Sequence, residues 1–106
     1  MAKYLYQVSY TTQGVKGLLE DGGSSRREAI RKMTGSLGGT VEAFYYAFGE
    51  DDVYLIVDVP DHVTAAAASL AVAASGAVNI KTTVLLTPEE IDAAAKKTVA
   101  YRPPGR

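Results

Sequence analysis

Cysteine and tryptophan are absent, and histidine occurs once, at His62. Without cysteine there are no disulfides, no thiolate metal sites and no cysteine nucleophile. A lone histidine leaves no imidazole-rich ligand set, so no transition-metal site is expected and nothing calls for a cofactor. An excess of charge is missing as well: eleven basic and twelve acidic residues give a net charge of −1. That balance offers no electrostatic reason to bind DNA, RNA or an anionic membrane. Long apolar runs are also lacking. The least polar stretch, Ala65 to Ala77, is too short and too rich in alanine to cross a bilayer. Met1-Ala2-Lys3-Tyr4 leads straight into a strand pattern with no basic-then-apolar leader, so a cytoplasmic location is expected.

What remains is 106 residues, 47% of them hydrophobic, enough for one domain with its own core. Residues 3–10 alternate, with Tyr4, Tyr6, Val8 and Tyr10 on one face and Lys3, Leu5, Gln7 and Ser9 on the other, which predicts a strand. Gly14, Gly17, Gly22 and Gly23 make residues 11–23 read as an irregular connection with a short helical turn near Val15–Leu19. Ser25-Arg26-Arg27-Glu28 has the form of a capping box, and Ile30, Met33 and Leu37 follow at helical spacing to a Gly38-Gly39 stop. A helix over 25–37 is expected.

A second strand is predicted over 40–48, with Val41, Ala43, Tyr45 and Ala47 on one face and Phe44, Tyr46 and Phe48 on the other. Gly49-Glu50-Asp51-Asp52 has hairpin length, with Gly49 for a positive φ and Asp52 for a local backbone bond. Residues 53–59 return as a third strand. Asp61 caps a helix over 62–75, whose packing side is alanine plus Val63, Leu70 and Val72. A fourth strand over 78–86 precedes a second capping box, Thr87-Pro88-Glu89-Glu90, and a short helix to about Lys97. The domain is assigned to 1–98 and an extended tail to 99–106.

Two strand–helix–strand units joined by a hairpin predict an α+β, ferredoxin-like βαββαβ sandwich with an added C-terminal helix. Two helices cover only one face of a four-stranded sheet, and an open apolar face of that size is unusual on a monomer. The expected remedy is a homo-oligomer, as a dimeric α+β barrel or, in competition, an edge-to-edge trimer.

Several segments in chain order, Tyr10-Thr11-Thr12-Gln13-Gly14, Ser25 to Ala29, Leu37-Gly38-Gly39, Ala43 to Gly49 and Ser75-Gly76-Ala77-Val78, resemble the GYD-domain family. The resemblance covers residues 3–90. It implies a ferredoxin-like fold akin to the dimeric barrels and carries no general activity. Against the family pattern of Gly, any residue, Tyr, Asp, the chain keeps Gly49 and Asp52 and has Asp51 where the tyrosine stands.

Candidate chemistry is sparse. Glu50, Asp51 and Asp52 are carboxylates of the kind magnesium prefers, but solvation in a hairpin is the simpler account and no metal is assigned. Gly22 to Arg27 places glycines, hydroxyls, Arg26 and Arg27 at a helix start receptive to phosphate or carboxylate; a flexible entry is the plainer reading. His62 follows Pro60-Asp61, where a solvated surface histidine is usual.

The tyrosines are the better clue. Tyr4, Tyr6, Tyr10, Tyr45, Tyr46 and Tyr54 are suited to a cavity between sheets, beside Gln7, Glu42, Asp58, Lys81 or Thr83 according to strand parity, and equally to an oligomer interface. Ligand-binding candidates are therefore Tyr6, Tyr10, Glu42, Tyr45, Tyr46, Lys81 and Arg26. The favoured reading is an oligomeric small-molecule-binding protein or cofactor-independent enzyme; the second is an assembly module with no ligand. An RNA-binding sheet shares this element order, but the third strand lacks the basic-glycine-aromatic signature.

Overall fold

A computed structural model describes residues 2–106. Alternation in the sequence becomes four strands, β1 (Ala2–Tyr10), β2 (Thr40–Tyr46), β3 (Val53–Val59) and β4 (Val78–Leu85). All pairs are antiparallel, in the order β2-β3-β1-β4. The helices are α1 (Thr12–Asp21), α2 (Gly23–Ser36), α3 (His62–Ala74) and α4 (Pro88–Ala95). Tyr4, Tyr6, Val8, Val53, Leu55, Val57 and Val59 form the buried core with Ala65 of α3. Ile30 and Phe44 pack against its margin. Helix α2 lies on β2 and α3 on β4, both over this one face.

Residues 11–23 are not the irregular connection expected. Ten of them form α1, started by the Thr11 hydroxyl, which accepts from the Gly14 amide. Glycine lowers helix propensity, but tertiary packing overrides it here. Gly14 is buried against the Ala77 carbonyl, where any Cβ would collide. The capping box expected at Ser25 and Glu28 does not form. Gly22, at φ 86°, ends α1 and starts α2 together, so Ser25 already lies inside the helix. Glu28 pairs instead with Arg27 and Arg31. Gly38 does supply the left-handed stop, at φ 81°.

Strand β2 stops at Tyr46 and contains a bulge between Val41 and Ala43. An extra residue turns the chain over. Val41 therefore opposes Val57 on the face of Phe44 and Tyr46, while Ala43 and Tyr45 lie on the other side. Simple alternation had put Val41 with Ala43. In α3, Asp61 caps as expected, accepting from the Thr64 amide at 2.8 Å. Its buried residues are Ala65 and Ala68, whereas Val63 and Leu70, expected to pack, are exposed. Strand β4 ends at Leu85, one residue early, and the full Thr87–Glu90 capping box opens α4, which ends at Ala95 rather than near Lys97.

The register sorts the uncovered face into rows. Thr40, Asp58, Lys3 and Leu85 lie across one end, Ala43, Ile56, Leu5 and Thr83 across the middle, and Tyr45, Tyr54, Gln7 and Lys81 across the other end. Only the middle row is chiefly apolar. The flanking charges are already paired: Lys3 with Glu42 and Asp58, and Lys81 with Asp51.

Candidate functional site

Because α2 and α3 sit over opposite edges of the sheet, a gap runs between them along β1 and β3. Beneath it is an internal cavity of about 70 Å³, floored by residues such as Tyr6, Val8, Leu55 and Val57 and walled by Ile30, Met33, Ala68 and Val72. A wider cleft of about 730 Å³ lies beside it among α1, α2 and α3. Tyr10, Arg26, Ile30, Met33, Val72 and Val78 line both spaces and form the boundary they share.

Few polar groups reach the cavity. Tyr6 donates its phenol proton to the Ala65 carbonyl at 2.8 Å, and Thr34 donates to the Ile30 carbonyl at 2.8 Å. Both hydroxyls are thus engaged with the backbone. Tyr10 and Arg26 stand at the shared boundary instead. Burial, first of all, pushes the Tyr10 phenol up to about 12, with Tyr46 adding to the rise and the nearby Arg26 cation opposing it. Burial likewise raises Tyr6 above the usual phenol range. Tyr46 donates to the Gly23 carbonyl at 3.1 Å, tying β2 to the start of α2. Arg26 makes no ion pair among the described residues.

The seven candidate residues therefore divide between two faces. Tyr6, Tyr10, Tyr46 and Arg26 belong to the helix side. Glu42, Tyr45 and Lys81 belong to the uncovered face. Tyr4, Tyr6 and Tyr10 do not stand beside Gln7, Glu42, Asp58, Lys81 or Thr83, because consecutive strand residues point to opposite faces.

The hairpin after β2 differs most from expectation. Glu50 is exposed, but Asp51 is only 3% exposed, not solvated. Its Oδ2 lies 3.3 Å from Lys81 Nζ and accepts from Gln7 Nε2 at 3.3 Å. A buried carboxylate is costly unless paired, and β4 supplies the cation. Asp52 accepts from the Tyr10 amide at 2.7 Å and donates its own amide to the Val8 carbonyl at 2.7 Å. That bond is long-range, not the local one expected. Gly49 does not adopt a positive φ. Among the described residues, no three His, Asp or Glu side chains converge as a metal ion would need.

The family model for the GYD domain matches residues 4–95. The chain belongs to the GYD domain family. It matches no curated protein and no solved structure. In this GYD domain Asp52 extends the β1–β3 pairing beyond its last register pair, Val8 with Val53. The neighbouring carboxylate, Asp51, is buried and balanced from β4 by Lys81.

Two contacts have no signature in the local sequence. The Tyr4 hydroxyl hydrogen-bonds His62 Nδ1, with the rings edge to face at 5.9 Å, so the exposed histidine is anchored to the core. The Asp51–Lys81–Gln7 cluster becomes visible only once Gln7 is known to lie opposite Lys81. No helix in the described residues is long and apolar enough to cross a membrane.

Proposed function

We propose that this GYD domain is a ferredoxin-like, homo-oligomeric binding protein, with a dimer favoured. Its ligand is a small, mostly apolar molecule with an anionic end. The apolar part enters between α2 and α3, and the anionic end meets Arg26 and Tyr10 at the shared boundary. Ligand sites are typically apolar concavities with a few placed polar groups, and this cleft has that composition. The carrying observation is the cavity of about 70 Å³ that shares Tyr10 and Arg26 with the outer cleft, the arginine having no ion pair among the described residues. A void this size admits more than a single water, since about 10–15 Å³ suffices for one.

The uncovered sheet face supports pairing with a second copy. Its charges are matched within the chain, so covering the face would strand no lone ion. Nothing at the cleft assigns a reaction, and the reading is of binding.

Native mass spectrometry of the purified protein, followed by titration with hydrophobic carboxylates such as benzoate and octanoate, tests the proposal. Binding should be lost in Met33→Trp, which fills the cavity, and weakened about tenfold or more in Arg26→Met, which removes a charge-assisted contact. Binding unchanged in both variants would place the ligand elsewhere. No binding of any such carboxylate, with no co-purified mass, would favour an assembly module.

A further inference from the structure

The C-terminal segment projects away from the domain to which it is attached. Every residue of α4 is exposed. Leu86, Ile91, Val99 and Tyr101 are exposed by 57%, 51%, 75% and 70%. The radius of gyration is 17.0 Å, against about 13 Å for a compact chain of this length, and the longest dimension is 58 Å.

The arm is nevertheless built with order. Thr87 and Glu90 cap α4 reciprocally. Pro88, Ile91, Ala94 and Ala95 recur at helical spacing on one side, and Glu89, Asp92 and Lys96 on the other. A polar side and an apolar stripe, with further large apolar residues beyond, describe a segment made to lie on a surface.

We infer that residues 86–106 pack on the uncovered sheet face of a second copy, around its Leu5 and Ile56, each chain giving its arm to the other. This rests on the pairing proposed above and adds what does the covering. Two surfaces of one chain lack partners, an apolar-striped arm and a sheet face with an apolar middle row. Exchange between identical chains satisfies both and closes the assembly. The reach is sufficient. Helix α4 spans about 12 Å and the eleven residues after it up to about 35 Å, whereas four strands are only about 15 Å across. Charge pairs at both ends of the face frame the apolar row.

The chain has no cysteine, so Ile91→Cys gives a single attachment point for a benzophenone maleimide in the full-length protein. Mixed ¹⁴N and ¹⁵N chains are photolysed and the adducts mapped. Links between a light and a heavy chain, landing on uncovered-face residues of β1 or β3, are expected. Links within one chain only, or onto α2 and α3, would overturn the inference.

A second measurement uses Val99→Asp with Tyr101→Asp, residues outside the folded core, and follows association by sedimentation. The dimer dissociation constant should rise at least tenfold, with an unchanged circular-dichroism spectrum. A parent protein that is monomeric at every concentration sinks the pairing itself. A parent dimer that the double variant leaves intact, with no interchain link, sinks only the exchange of arms.

Discussion

Replacing Asp52 by alanine should destabilise the domain through one identifiable bond. Its Oδ2 accepts the Tyr10 amide at 2.7 Å, just past the last residue pair of the β1–β3 ladder. On its other edge Tyr10 still pairs with Val78, so the strand itself should persist. What disappears is a hydrogen bond to a charged acceptor, worth about 1.5–3 kcal/mol, and a peptide amide is left without its partner. The amide is only part-buried, and water can replace some of the loss. The lower half of that range, about 1.5–2 kcal/mol, is therefore expected. For a domain near this size each 1 kcal/mol lowers Tm by about 4–8 °C, giving a drop of about 6–16 °C. Asp52→Asn keeps an acceptor oxygen and should lose roughly half as much. Thermal unfolding by circular dichroism gives the size of the effect, and amide exchange gives its place, since Tyr10 should lose protection in the alanine variant. A Tm within about 2 °C of the parent, with Tyr10 still protected, would refute a bracing role for Asp52.

Two further outcomes follow from packing and ionisation. Gly14→Ala drives a methyl group into the Ala77 carbonyl and the Tyr10 ring, so a loss of about 1–3 kcal/mol is expected in urea unfolding, and a neutral result would deny the contact between α1 and the start of β4. Tyr10 keeps its proton longer when folded than the ordinary phenol near pH 10 does, because burial carries it to about 12. Its contribution is thus complete below pH 10 and is lost as pH rises through about 12, since the unfolded chain binds fewer protons there. Unfolding measured from pH 9 to 12 should show a shallower loss of stability in Tyr10→Phe than in the parent, and equal slopes would contradict the assignment.

Strand alternation made β1 and β3 legible, and local capping chemistry made the starts of α3 and α4 legible. Both are short-range patterns that need no tertiary information. Helix α1 was hidden because its glycines resemble punctuation, although Gly14 is there for close packing with Ala77. The site was harder to see. Tyr6, Tyr10 and Arg26 could be named, but their convergence depends on where α2 and α3 leave the sheet uncovered. Glu42 and Lys81 could also be named, yet their face depends on register. Asp51 looked like one acid among three in a turn. Its burial follows from Gln7 and Lys81, residues 44 and 30 positions away in sequence, which no local pattern connects to it.

The irregularity in β2 has a consequence for how relatives of this chain should be aligned. Val41 faces the core because Glu42 is the extra residue between it and Ala43, left without a partner on β3 and reaching Lys3. Deleting Glu42 would leave Val41 next to Ala43 and still opposite Val57, so Thr40 and Val41 would keep their faces and Lys3 would lose one of its two carboxylate partners. A gap at position 42 in a relative is therefore the loss of the bulge with strand phase kept, to be read with a changed residue at position 3, whereas an insertion or deletion elsewhere in β2 would shift the phase.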